Sequence, residues 1–291
     1  MAAREGAQPA RSVRYPGRFG DAHTSHYIPD RADQRAAVMP GLKSAQCATF
    51  GQAVRDEKET GSSSYAGQAN LEVMDDAVNY NASLASIVVA NLRPDCVAVD
   101  FGAGTGAIAG LVATRGHNVT CVEPDDFLRR YLVGRGFDCR SALDAIEADS
   151  VDLIYSLNVL EHIEDDSSVV QLFYSRLRPG GKVLIYVPAF PILFSSMDRK
   201  VGHHRRYRRR DMVALLSRAG FLIDQCGYSD SIGFVATLAF KVFGSRAGTL
   251  SRRAVVFYDR VIFPLSRRLD GFFRSIGGKN LFAIATRPVA P

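Results

Sequence analysis

The 291-residue sequence predicts an α/β protein built on a doubly wound, mostly parallel sheet. From about residue 70, β-branched apolar runs alternate with segments of helical apolar spacing. A glycine-rich loop follows the first of these runs and precedes a helix. The five cysteines form no C-x-x-C pair, so a disulfide framework or a zinc site is not expected.

Residues 1–68 are predicted to be a weakly ordered extension, and residues 69–291 the folded domain. The extension is rich in Ala, Gly, Ser and Arg and ends in the linker-like "ETGSSSYAG". The sequence opens without an apolar leader, and no uncharged apolar run reaches the roughly 18 residues of a spanning helix. We therefore expect a cytoplasmic protein, and a place at the inner face of the membrane stays open.

The first half of the domain alternates helices and strands. Helical spacing over 71–92 ends before Pro94, and "CVAVDF" is the first strand. The helix "AIAGLVATRG", the strand "NVTCVEPD" and the helix "DFLRRYLVGRG" follow, and glycines close both helices.

The second half continues the alternation. It runs through the strand "VDLIYSLNVL", the helix "DDSSVVQLFYSRL", the strand "KVLIYVP", the helix "RRDMVALLSRAG", and the strands "FLIDQCGY" and "LFAIATRP". Residues 229–279, between the last two strands, are too many for a plain connection and predict a helical insertion.

The loop "VDFGAGTGA" is typical of a nucleotide-type ligand site. Its glycines let the backbone approach a ligand, and the following helix N-terminus favours anionic groups. Glu123 ends the next strand, 21 residues after Gly102, where a carboxylate can accept hydrogen bonds from ribose hydroxyls. NAD-dependent enzymes and methyltransferases share this device, so the loop alone leaves both classes open.

Four motifs in order separate the two classes. "VDFGAGTG", "VEPD", "VDLIYSLNVLEHIEDD" and "LRPGGKVLIYVP" resemble class I S-adenosylmethionine-dependent methyltransferases over residues 70–222 and the closing strand. The resemblance implies a Rossmann-like, seven-stranded sheet and S-adenosylmethionine as cofactor. An NAD-dependent oxidoreductase and a non-catalytic, membrane-associated scaffold remain the alternatives; no Y-x-x-x-K pair follows the fourth strand, which counts against a short-chain oxidoreductase.

The resemblance also implies which residues bind the cofactor. They are Tyr80, Asp100, Gly102, Ala103, Gly104, Gly106, Glu123, Pro124, Ala142, Leu143, Asn158 and His162. The sequence departs from the family at the adenine, where Ser141 or Ala142 replaces a frequent acidic residue. Glu161 is interpreted as a packing and capping residue.

The basic stretch "VGHHRRYRRRD" resembles a D…GH-x-RRY pattern of a bacterial methyltransferase subgroup. His203 is predicted to be a catalytic base oriented by Asp198, with Tyr207 also catalytic. Arg205 and Arg206 are predicted to bind an anionic group of the substrate. The alternative is a run of solvated charges at a helix start capped by Asp211.

Charge in the C-terminal third indicates an anionic partner. From Lys200 onward there are 17 Lys and Arg against 5 Asp and Glu. Within the insertion, arginines spaced by seven alternate with aromatic residues, and Pro264 should kink the helix. This predicts a lid or a membrane contact through residues 246–276. We expect O-methylation of a small-molecule or lipid-linked acceptor, without a metal; nucleic acid is disfavoured because no RNA-binding module is recognisable.

Overall fold

The computed structural model describes residues 73–243 and 251–289. They form one seven-stranded sheet in the order β3-β2-β1-β4-β5-β7-β6, so the predicted fold class is confirmed. The strands are β1 Ala98–Phe101, β2 Val119–Val122, β3 Asp138–Arg140, β4 Val151–Leu157, β5 Leu177–Pro188, β6 Leu222–Ser229 and β7 Asn280–Thr286. The predicted 1–68 extension lies outside the described residues.

Strand directions place the ligand crevice. Strands β1 to β5 are parallel, whereas β7 runs antiparallel between β5 and β6. The carboxyl ends of β1, β2 and β4 therefore meet at one edge, where ligands bind in open α/β sheets. The short edge strand β3 was missing from the sequence prediction, because its three residues are polar or half-exposed and form no apolar run.

Helices cover both faces of the sheet. One core cluster joins Val88, Val112 and Leu132 to the sheet, and the other joins Phe173 and Leu216 to its opposite face. The helices ahead of the insertion are α1 Val78–Val89, α2 Ala107–Ala113, α3 Asp126–Gly134, α4 Asp166–Arg176, α5 Ser196–Lys200 and α6 Arg209–Arg218.

The insertion is helical, as predicted. It contains α7 Ser231–Phe243, α8 Arg252–Phe257 and α9 Phe263–Phe273, and a π-helical turn over Tyr258–Ile262 joins the last two. Pro264 stands at the start of α9, where its missing N–H is accommodated by the π-helical turn before it. Among the described residues, no helix is both long and apolar enough to cross a membrane.

The predicted arginine and aromatic stripes of the insertion are only partly separated. Arg274 lies over the Phe282 ring, 4.3 Å from its centroid, and donates to the Gln225 side chain. Phe263 is 2% exposed and faces inward. The inner face of α9 packs on β6 and α1. Side chains from both stripes therefore hold this helix against the domain.

Candidate active site

The glycine loop brings the ends of β1 and β4 into contact. Gly102, Gly104 and Gly106 have positive φ angles of 78°, 56° and 72°. A Cβ at Gly102 would lie 2.4 Å from Val159 Cγ2, so only glycine fits at this approach. The loop backbone therefore turns closely enough to cradle a ligand at the carboxyl edge of the sheet.

Glu123 is fixed at the end of β2 by backbone donors. One carboxylate oxygen accepts from the Gly104 N–H at 2.8 Å and the other from the Asp125 N–H at 3.0 Å. Burial raises the pKa of Glu123, and these two hydrogen bonds oppose that shift. The side chain is thus held beside the glycine loop, where the resemblance implies a ribose contact.

Asp100 supplies a second carboxyl group at this edge. Burial raises its pKa to about 8, and the Glu123 carboxylate acts in the same direction. Two acidic groups beside a glycine loop fit the hydroxyls and the cationic centres of S-adenosylmethionine, since a nearby cation would favour the ionised form of Asp100.

Asn158 and Tyr80 meet at the end of β4. Asn158 adopts a left-handed backbone with φ of 57°, and its side-chain amide donates to the Tyr80 hydroxyl at 3.1 Å. The Tyr80 ring packs edge-on against Tyr186 and Phe263. The predicted aromatic of the leading helix thus lies next to a residue of the β4 loop.

The remaining predicted cofactor residues differ in their exposure. Pro124 and Ala142 are exposed after β2 and β3, and Ala103 packs partly on the core. Leu143 is 2% exposed and belongs to the core cluster, so its side chain supports the fold.

The basic stretch returns to the sheet edge and carries His203. Backbone hydrogen bonds join Tyr207 to Pro188 and His204 to Glu161. His203 Nδ1 lies 2.8 Å from Asp198 Oδ1, as the predicted base and orienting carboxylate require. Burial alone would raise the pKa of Asp198, but hydrogen bonds from His203 and Arg206 hold it below its usual range.

Arg206 and Tyr207 are each bound by an aspartate inside the protein. Arg206 is buried and binds Asp198 bidentately, through Nε at 2.8 Å and Nη2 at 3.1 Å. The Tyr207 hydroxyl donates to Asp166 at 2.7 Å, and the side chain is 4% exposed. Both groups therefore have internal partners, and their roles toward an acceptor stay predictions. Arg205 also binds Asp166, at 3.0 Å, but remains partly exposed.

Glu161 is the residue that the sequence interpretation missed. It lies in a 3₁₀ turn, Leu160–His162, directly after β4. It is fully buried, and neither carboxylate oxygen has a hydrogen-bond partner. Burial raises its pKa to about 8 and lowers that of His162 to about 4. The available signal was a Glu-His pair at the end of a buried strand, enclosed by Leu160 and Ile163.

Glu161, His162 and His203 form a compact cluster. His203 Nε2 is 3.8 Å from Glu161 Oε1, and the two imidazole rings meet edge-on with centroids 4.6 Å apart. The cluster lies next to the glycine loop, because Val159 of the same turn approaches Gly102. An acceptor placed between them would have the cofactor cradle on one side and these groups on the other.

A family model described as a methyltransferase domain matches residues 68–225. A probable S-adenosylmethionine-dependent methyltransferase of Mycobacterium tuberculosis is 26% identical over 164 residues, which are 52% of this chain and 60% of the relative. A ubiquinone biosynthesis O-methyltransferase of Stutzerimonas stutzeri is 28% identical over 95 residues, 29% of this chain and 41% of the relative. The chain thus spans less than two thirds of the length of these curated relatives.

One solved structure shares the fold across most of the chain. It is a complex from Haloferax volcanii between the Trm112 methyltransferase activator and a protein described as a methyltransferase. The TM-score is 0.54 at 14% identity, covering 77% of this chain and 97% of that one.

Proposed function

This chain belongs to the methyltransferase-domain family, and on that premise we propose that it methylates a hydroxyl oxygen of a small-molecule or lipid-linked acceptor. S-adenosylmethionine is the cofactor. When bound, it supplies a methyl group on a sulfonium centre. The chain's own residues have to bind that cofactor and align the acceptor oxygen with the methyl carbon.

The cofactor-binding residues are the ones gathered at the carboxyl edge of the sheet. Glu123 would accept hydrogen bonds from the ribose, and Asp100 would face the cationic methionine part. The backbone of the glycine loop fits between them, and Tyr80 and Asn158 would close the site from the β4 side. This assignment is supported by the fixed carboxylate of Glu123 and by the close approach of Gly102 to Val159.

The observation that carries oxygen methylation is the Asp198–His203 pair, 2.8 Å apart beside the cofactor cradle. Nδ1 of the imidazole is held by a carboxylate, which directs Nε2 inward and favours uptake of a hydroxyl proton there. Arg206 holds Asp198 in turn. Several relatives are ubiquinone biosynthesis O-methyltransferases, which supports the same class.

The two alternative functions fit less well. The dinucleotide fold has the strand order 3-2-1-4-5-6, whereas here an antiparallel strand lies between β5 and β6. A scaffold without a ligand would not require both a glycine loop in left-handed backbone conformations and two carboxyl groups beside it. Membership of the D…GH-x-RRY subgroup remains part of this proposal, resting on Asp198, Gly202, His203, Arg205, Arg206 and Tyr207.

A lipid-linked acceptor is proposed on the surface of the insertion. Exposed apolar side chains follow one another from the end of α8 through the π-helical turn and α9 to the turn after it, and exposed arginines flank them. The apolar residues are Phe257, Val261, Leu265, Phe272 and Ile276. An anionic lipid surface matches both the apolar stripe and its positive border.

Calorimetric titration with S-adenosylhomocysteine, with NADH in parallel, tests the cofactor. We expect saturable binding of the first ligand and none of the second. Hydroxyl-bearing and amine-bearing acceptors, water-soluble or lipid-linked, are then offered with methyl-labelled cofactor. Preference for NADH would overturn the proposal, and labelling of amines alone would overturn oxygen methylation.

A further inference from the structure

We propose that Glu161, His162 and His203 bind one divalent transition-metal ion, such as Zn²⁺ or Mn²⁺, beside the cofactor cradle. One ligand atom from each residue lies within 4.8 Å of the other two. Two imidazoles and one carboxylate are a donor set that binds such ions while leaving a coordination position open for another ligand. The cysteine spacing predicted no zinc site, whereas this cluster is formed by histidines and a glutamate.

The first support is the burial of Glu161. A fully buried carboxylate without hydrogen bonds is costly unless it is neutralised or bound to a cation. An imidazole nitrogen, His203 Nε2, lies 3.8 Å from its Oε1 atom. Ligands of one tetrahedral ion lie about 3.4 Å apart, so a small inward shift would let both atoms bind the same ion.

The second support is the way both imidazoles are oriented. Histidine ligands usually donate their other ring N–H to a carboxylate or a backbone carbonyl. His203 Nδ1 meets Asp198, which is itself fixed by Arg206 and by the N–H and hydroxyl of Ser195. His162 donates hydrogen bonds from its ring to the backbone carbonyl groups of Val201 and Gly202, which orient it. The buried Arg206–Asp198 pair is thereby explained as outer support for a metal ligand.

The catalytic role of the ion rests on the proposed function, whereas the binding site does not. The acceptor oxygen would occupy the open position, and the ion would lower the pKa of its hydroxyl group. The hydroxyl proton leaves to solvent, the O–CH₃ bond forms as the S–CH₃ bond breaks, and S-adenosylhomocysteine is the product. In the loaded protein His203 is then a ligand, and the ion replaces it as the activating group.

The test uses tag-free, full-length protein stripped with a chelator and titrated with Zn²⁺ or Mn²⁺ alone. We expect one saturable site per chain by calorimetry and one ion per chain by elemental analysis after gel filtration. Glu161→Gln and His203→Ala should each weaken binding at least tenfold. Asp198→Asn should weaken it by about 10- to 100-fold through the orientation of His203.

His204→Ala is the matched control, because this histidine is adjacent in sequence, exposed and outside the cluster. Its affinity for the ion should equal that of the unmodified protein. Binding of S-adenosylhomocysteine by each variant verifies the fold. The proposal is overturned if neither ion binds at one per chain, or if the cluster variants bind as the control does. Metal binding without cofactor binding would instead refute the proposed function and leave the site standing.

Discussion

Asp259 in the insertion accepts a hydrogen bond from the Tyr80 backbone N–H, 2.8 Å away and 179 residues earlier in the chain. Its second carboxylate oxygen accepts from the Asn79 N–H at 2.9 Å. These are the second and third residues of α1, whose own N-cap position, Ala77, has no side-chain cap. Asp259 therefore caps α1 from a distance, and the insertion sets the position of Tyr80 beside Asn158.

Replacing Asp259 by Asn should destabilise α1 and weaken cofactor binding together. Asn keeps one acceptor oxygen but loses the second and the negative charge, which costs about 1 kcal/mol of unfolding free energy. Tyr80 would lose its fixed position, so we expect a several-fold weaker affinity for S-adenosylhomocysteine. Denaturant unfolding and calorimetry measure the two effects. The control is Asp211→Asn, because Asp211 is an exposed aspartate paired with Arg210. Equal affinities for S-adenosylhomocysteine in both variants would mean that the insertion does not affect cofactor binding.

Glu123→Ala should remove cofactor affinity while the fold is retained. Hydrogen bonds to a charged group contribute about 1.5–3 kcal/mol, so affinity for S-adenosylhomocysteine should fall by roughly 10- to 100-fold or more. Glu147→Ala, an exposed glutamate on the following loop, should leave it unchanged. Calorimetry with circular dichroism measures both properties, and unaltered affinity in Glu123→Ala would place the ribose elsewhere.

The raised pKa of Asp100, about 8, predicts pH-dependent stabilisation by the cofactor. In the unfolded chain this carboxyl ionises near 3.8. In the cofactor-free protein its contribution to folding stability is therefore fully present below that pH and is lost as pH rises toward 8. A bound cation favours the ionised form. Cofactor affinity should therefore increase as pH rises through about 8, with proton release on binding below it.

Calorimetry in buffers of different ionisation enthalpy measures that proton release. Asp100→Asn should abolish it and flatten the pH dependence of affinity. Proton release that persists in the Asn variant would assign it to another group.

His203→Ala should abolish methyl transfer and leave cofactor binding intact. The contacts described for the imidazole are with Asp198, Glu161 and His162, so we expect its loss to remove activation of the acceptor. Turnover of an identified acceptor and affinity for S-adenosylhomocysteine are measured side by side. Turnover retained within twofold would exclude His203 both as the activating base and as the holder of the activating ion.

The fold was predictable because its signals are local. The β-branched run before Gly102 and the apolar run of β4 each specify a buried strand without help from distant residues. Strand β3 carries no such run, and it forms because β2 offers it a free edge. The capping of α1 by Asp259 was not predictable, because nothing near Ala77 indicates a partner so far along the chain.

The candidate site was predictable where backbone geometry decides it. Glu123 and the glycines follow from their places at strand ends. The internal partners of Arg206 and Tyr207 could not be predicted, because Asp198 and Asp166 come next to them only in the folded protein. Glu161 was missed for the same reason: its burial depends on the return of the basic stretch over the β4 turn.

The apolar stripe on α8 and α9 should bind anionic lipid surfaces. Phe272 is 81% exposed and Ile276 is 72% exposed, whereas Arg260 and Arg268 beside the stripe are exposed cations. The doubly substituted protein Phe272→Ser, Ile276→Ser should lose flotation with phosphatidylglycerol-containing vesicles while S-adenosylhomocysteine affinity stays unchanged. Val133→Ser is the control, because Val133 is an exposed apolar residue on α3, which packs by β3 at the opposite end of the sheet.

Binding should weaken with salt, since salt screens the arginine contribution. It should vanish on neutral phosphatidylcholine vesicles, which carry no net charge for the arginines to bind. Equal flotation of both variants would mean that the stripe is not the lipid contact.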